Sequence, residues 1–201
     1  MFRQKFATNI VTGIVALAIP AFAQSETSTS KQDISVQAFG SFLLTTTQNG
    51  IQNKAENSAG VLGTYRYFFT NHQGIEANYG FTPNTQSYGV PGAFAGVKNY
   101  TSEVSGAYVV RMPMGKVTPF LLAGAGAILF DPRNLAGAST QGRATGIYGV
   151  GADINVSNHA FIRAEDRGLI YNSPTYGFAQ LAGLDRVTHN AEPSIGFGYR
   201  F

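Results

Sequence analysis

The sequence predicts an all-β fold: an eight-stranded antiparallel transmembrane β-barrel with short periplasmic turns and longer extracellular loops. The C-terminal stretch carries the pattern most clearly. In residues 188–201, His189, Ala191, Pro193, Ile195, Phe197, Tyr199 and Phe201 share one face, and Thr188, Asn190, Glu192, Ser194, Gly196, Gly198 and Arg200 share the other. Such period-two alternation is the signature of a strand with two unlike faces. Seven earlier stretches repeat it, and the segments joining them alternate between short and long. Charged residues make up 12% of the 201-residue chain, about half the usual share.

Residues 1–23 read as a cleaved secretory signal. Arg3 and Lys5 give a basic start, Ile10 to Ile19 is mostly apolar, and Ala21-Phe22-Ala23 is a small-x-small cleavage site. The apolar run is too short to cross about 30 Å of hydrocarbon as a helix, and no other segment reaches about 18 apolar residues. Without Arg3 and Lys5, the 14 basic residues fall to 12 against 11 acids. The net charge of +3 therefore owes much to the leader, and nucleic acid is not an expected partner. Residues 24–33 are polar and read as a flexible lead-in. The absence of cysteine excludes disulfides and thiolate metal sites.

The barrel is then expected over 34–201, with strands at about 34–46, 59–69, 74–83, 100–111, 116–129, 143–156, 160–171 and 188–201. Several reach the 9–11 residues that cross a bilayer at a tilt. The short connections are 70–73, 113–115 and 157–159; the longer ones are 47–58, 84–99, 130–142 and 172–187. Outer-membrane barrels separate short periplasmic turns from long external loops in this way, which puts both termini on the periplasmic side. Strand 116–129 is apolar on both faces, and 34–46 alternates less cleanly than the others, so the seam between first and last strands is where register is least secure.

The polar faces gather Arg66, Glu76, Glu103, Arg111, Asp153, Arg163, Glu165, Arg167, Glu192 and Arg200. In a soluble barrel this set would be wet and the aromatics would fill the core; in a membrane barrel the aromatics face lipid and the charges fill the lumen. The membrane version is favoured by tyrosines near strand ends, by polar faces rich in Gly and Ser but almost without Lys, and by the balance of five acids against five bases, since buried ions must be paired. Asp166 breaks the pattern. Parity places it on the lipid face, so either a bulge shifts the register at Arg163–Arg167 or Asp166 lies near an interface.

Four stretches resemble the small eight-stranded outer-membrane β-barrel family, the OmpA/OmpX-like, porin-family barrels of Gram-negative bacteria. They are residues 117–127, 149–153, 161–167 and the terminal Gly196-Phe197-Gly198-Tyr199-Arg200-Phe201. The resemblance covers about residues 34–201 and is specific for architecture rather than activity. It implies residence in the bacterial outer membrane and contact with membrane lipid and lipopolysaccharide. It also implies recognition of the closing strand by the outer-membrane assembly machinery, which carries over to Tyr199 and Phe201. Asp166 stands where the family commonly has an aromatic residue. No peptidoglycan-binding domain follows Phe201, so tethering by such a domain is not implied.

The lumen charges read either as a solute path or as a packed polar plug, and an eight-stranded interior is just wide enough for side chains to fill. His72 and His159 fall in predicted turns and His189 near the external end of the last strand, with no metal-ligand spacing between them. His189, Glu192 and Ser194 are the nearest approach to a catalytic set, but the parity of His189 opposes the other two, so no catalytic residues are assigned and no enzyme activity or cofactor is expected. Gly124-Ala125-Gly126 and Gly149-Val150-Gly151 lie inside predicted strands without a following helix and are poor phosphate loops. The external loops carry Tyr88, Phe94, Tyr100, Tyr176 and Phe178 and offer surface for a partner. The expected role is structural or interactive, with a narrow porin as the alternative and an outer-leaflet lipid-modifying enzyme third.

Overall fold

The computed structural model describes residues 31–43, 46–48, 51–55, 57–90, 93–133, 140–174 and 187–201. The expected signal segment 1–23 and most of the lead-in lie outside the described residues, as do 134–139 and 175–186, with Tyr176 and Phe178. The strands are β1 (Gln32–Leu43), β2 (Thr46–Gln48), β3 (Ile51–Ala55), β4 (Ser58–Phe68), β5 (Gln73–Val90), β6 (Ala93–Arg111), β7 (Val117–Pro132), β8 (Gln141–Asn155), β9 (Ala160–Asn172) and β10 (Val187–Arg200). β1 and β4–β10 form a closed, all-antiparallel, eight-stranded barrel: each pairs with the next, and β10 pairs back onto β1.

Register fixes the barrel's shape. A path perpendicular to the strands from Asp33 passes Arg66, Glu76, Ala107, Gly124, Ile147, Leu169 and Asn190 and returns to β1 at Leu43, ten residues further on. With eight strands about 4.8 Å apart and a rise of about 3.3 Å per residue, this stagger gives a tilt of about 41° and a backbone radius of about 8 Å. Such an interior has room for side chains and little else. The β1–β10 seam keeps a single register from Asp33 opposite Arg200 to Leu43 opposite Asn190, so no slip accompanies the weak alternation of this strand.

Three sequence expectations are corrected. Residues 84–99 are not a loop: β5 and β6 stay paired from Gln73 opposite Val110 out to Val90 opposite Ala93. Backbone hydrogen bonds sustain a hairpin in water without apolar alternation, so the polar composition of this segment concealed a strand. The segment 47–58 also contains strand, because β3 pairs with β2 and with Gln86–Gly89 of β5. At Asp166 the register is unbroken: it pairs with Val150 on one side and Pro193 on the other, as the seventh of thirteen residues in β9. There is no bulge, and Asp166 stands on the outer face at mid-strand, not near a strand end.

Burial alternates along the barrel strands wherever side chains are described, except at Arg167–Leu169 of β9, where Gly168 is buried too; in β1 the run from Asp33 to Ser41 alternates inward polar or aromatic residues with outward Ile34, Val36 and Ala38. Large apolar side chains are turned outward all around the wall, among them Val36, Ile75, Val104, Ile195 and Phe197, the last 74% exposed. Such a continuous apolar exterior is stable against hydrocarbon and a liability in water.

Candidate functional site: the lumen charge network

The ten charged residues that share the polar faces are all buried inside the barrel. Asp33 joins them, so six acids face five arginines. Asp33 lies outside the strand expected from Ile34 because β1 begins two residues earlier, at Gln32; the polar set Asp33, Ser35 and Gln37, alternating along β1, is the signal that identifies it.

Ten of these eleven charges are joined by ion pairs in two layers, while Arg111 donates to the backbone oxygen of Asn71 at 3.0 Å. Near the short turns, Arg163 donates to Asp153 (2.7 and 3.0 Å), Asp33 (3.2 Å) and Ser35 (3.0 Å). Arg200 joins the same Asp153 at 3.1 Å. Arg66 is ion-paired with Glu76 and reaches Glu165 at 3.5 Å. In the upper layer Arg167 binds Glu192 at 2.8 Å and Glu103 at 3.0 Å. Glu165 connects the layers, lying 3.8 Å from Arg167. The guanidinium of an arginine presents several donors in a fixed fork, which lets one residue tie carboxylates from different strands.

Short-range neighbours orient the acids. Asn78 donates to Glu76 (2.6 Å), Ser105 to Glu103 (2.7 Å) and Asn190 to Glu192 (2.9 Å). In each case the partner is two residues along the same strand, where period two puts both side chains on one face. The Glu-x-Asn, Glu-x-Ser and Asn-x-Glu spacings were thus visible signals that sequence reasoning left unused.

Aromatic rings floor the network. Arg66 sits 4.0 Å over Phe120, Arg163 lies 4.9 Å from Phe161, Arg200 lies 4.5 Å over Phe161, and Arg111 lies 3.4 Å over Phe68. Desolvated cation–π contacts of this kind are worth about 2 kcal/mol each. The lumen is also more apolar than expected: Leu122, Ile128, Phe130, Ile147, Leu169 and Tyr171 line one side of it. An interior cavity beside Glu103, Glu192, Ile128 and Tyr171 measures about 20 Å³, room for a single water.

His189 does not meet Glu192 and Ser194. It lies on the outer wall, where its Nε2 contacts the Tyr148 hydroxyl; Glu192 is buried inside, and Ser194 donates to Gln37. His159 is exposed and stacks on Tyr199, with ring centroids 5.7 Å apart. Among the described residues no group of three or more His, Asp or Glu is placed to hold a metal ion. Tyr199 and Phe201 are exposed on the outer face and stack at 6.5 Å. Tyr100 is exposed at the opposite end, under the Arg133 guanidinium at 4.7 Å.

A closed antiparallel barrel with an apolar exterior and an ion-paired interior defines a transmembrane β-barrel of the outer-membrane type. The sequence matches the family described as "Outer membrane protein beta-barrel domain" over residues 10–201, and the chain belongs to that family. No curated protein matches the sequence. Among solved structures, the outer membrane protein OprG from Pseudomonas aeruginosa is similar at 17% identity, with a TM-score of 0.58, over 86% of this chain and 97% of that one. Neisserial surface protein A is similar at 14% identity, with a TM-score of 0.62, over 85% of this chain and 97% of that one. The attachment invasion locus protein Ail of Yersinia pestis, solved with the heparin analogue sucrose octasulfate, is similar at 20% identity, with a TM-score of 0.54, over 86% and 99%. At these identities the likeness is one of fold.

Proposed function

We propose that this chain is a non-conducting outer-membrane scaffold that acts through its external surface, with the lumen sealed by the charge network. The observation that carries this reading is the burial of Arg66, Arg163 and Arg167, whose side chains are at most 1% exposed while each is paired with carboxylates from other strands. A solute would have to break several buried ion pairs at once, and each is costly to break from one side. The short turns face the periplasm in this reading. At the other end β2, β3, β5 and β6 pair into a sheet that offers a surface for a partner. The exposed apolar belt meets membrane lipid and lipopolysaccharide. Tyr199 and Phe201 serve as the signal read by the assembly machinery after export through a leader cleaved near Ala23.

Planar-bilayer recording tests the reading. Purified, refolded protein is expected to leave the bilayer silent across ±100 mV. Reproducible stepwise conductance would overturn the sealed lumen and favour a narrow porin.

A further inference from the structure

The outer wall changes character at the external ends of β6 and β7. Exposed aromatic pairs mark both ends of β6: Phe69 with Tyr108 at 6.1 Å on the side of the short turns, and Phe81 with Tyr100 at 5.6 Å on the far side. At a tilt of about 41°, each residue climbs about 2.5 Å along the membrane normal. Tyr100 therefore stands about 20 Å above Tyr108 and Lys98 about 25 Å above it, the height of the apolar band in outer-membrane barrels. At that height the chain places two cations side by side. β6 and β7 pair at Tyr100 opposite Asp131 and at Asn99 opposite Pro132, and the Arg133 amide donates to the Lys98 carbonyl at 2.8 Å. Lys98 and Arg133 thus stand opposite each other across the two strands, both exposed, on the outward face that carries Tyr100 and Asp131.

Like charges directly opposite in an antiparallel pair are destabilising. Asp131 offsets one of them: it accepts from Arg133 at 2.7 Å, while the Arg133 guanidinium lies over the Tyr100 ring at 4.7 Å. From Asn84 to Ala152 the only acids are Asp131 and Glu103, which is buried in the lumen. These strands therefore leave the cation pair with an excess of positive charge. We propose that Lys98 and Arg133 clamp a phosphate of the lipopolysaccharide headgroup in the outer leaflet, with Tyr100 and Phe81 against the first carbons of its acyl chains. The site rests on the orientation given above, with the long hairpins outside. The guanidinium offers a planar fork to the phosphate oxygens, and the ammonium adds a point charge. A phosphomonoester carries more than one negative charge and so matches two cations. A phosphocholine headgroup brings a cation of its own and is the poorer fit.

Native mass spectrometry of the refolded chain in octyl glucoside reads the site, with diphosphorylated lipid A as the probe. Lys98→Gln and Arg133→Gln should each weaken binding about fivefold, the factor one cation contributes at an anionic surface, and the double variant about twentyfold. Lipid A stripped of its phosphates should bind wild type no better than the double variant binds the intact lipid. Lys116→Gln, exposed in the short turn before β7, should leave binding unchanged. Unchanged binding in the double variant, equal binding of the stripped lipid, or an equal loss with Lys116→Gln each overturns the proposal. So does displacement of the lipid by inorganic phosphate at equal concentration, which marks a site for the free ion. The chain has no cysteine, so Thr140→Cys, exposed just before β8, reports orientation. An impermeant maleimide should label it on intact cells. Labelling only after disruption, with the phosphate preference kept, would overturn the orientation and with it the outer-leaflet occupant. Labelling on intact cells without a phosphate preference would overturn the clamp alone. A gel-mobility shift on heating confirms that each variant is folded.

Discussion

Replacing Arg167 by methionine keeps most of the side-chain stem and removes the guanidinium. Arg167 is buried, donates to Glu192 at 2.8 Å and Glu103 at 3.0 Å, and lies 3.8 Å from Glu165. Its loss leaves three buried acids without that cation, and among the described residues only Glu165 keeps another arginine, Arg66 at 3.5 Å. Breaking a buried pair from one side costs about 3–5 kcal/mol. With an unfolding slope of about 2 kcal/mol per molar urea, the midpoint should fall by about 1.5–2.5 M. The chain contains no tryptophan, so unfolding in vesicles is best followed by circular dichroism and by the faster gel migration of the folded barrel. Adding Glu103→Gln and Glu192→Gln to Arg167→Met should recover more than half of the loss, because the variant no longer strands two of the charges. A shift below about 0.5 M for the single variant, with no recovery in the triple, would refute a dry network and point to carboxylates solvated by water in an open lumen.

Three further outcomes are expected. Phe120→Ala removes the ring beneath Arg66 and Arg163 and should destabilise the barrel by about 3–5 kcal/mol, the usual range for a buried phenylalanine, read from the same urea titration. The Phe161 ring occupies the space that a side chain at Gly198 would need, so Gly198→Val should displace it from Arg163 and Arg200 and cost about 1–3 kcal/mol by overpacking; Gly146→Val, where a Cβ meets nothing within 4 Å, is the control and should change little. Phe201→Asp places a charge beside Tyr199 on the outer face and should leave unfolded precursor in the periplasm, detected by fractionation and by the absence of the heat-modifiable band.

The strands were legible because their signal is local. Period-two alternation in β4, β8 and β10 follows from each strand having lipid on one side and a packed interior on the other, and neither side depends on knowing the partner strand. Partnership itself was not legible: Arg163 finds Asp33 across 130 positions in sequence, which only barrel closure decides. Polar strands outside the belt, such as the outer halves of β5 and β6, obey backbone pairing rather than hydropathy, so composition read them as loop. The apolar lining by Ile128, Phe130, Leu169 and Tyr171 was hidden for a related reason. β7 is apolar on both faces, and alternation cannot distinguish a lipid-facing aromatic from one packed inside. Asp166 looked like an error of register and is instead a polar residue at a depth where the rest of the wall is apolar.

The central claim, that the arginines form a dry and closed interior, is tested most directly by water-edited solid-state NMR of labelled arginine side chains in lipid bilayers. Arg133, whose side chain is 55% exposed, supplies the wet reference. Magnetisation from water should reach the Arg163 and Arg167 guanidinium groups as slowly as it reaches the buried Phe120 and Leu122. Transfer as fast as that to Arg133 would contradict a sealed lumen.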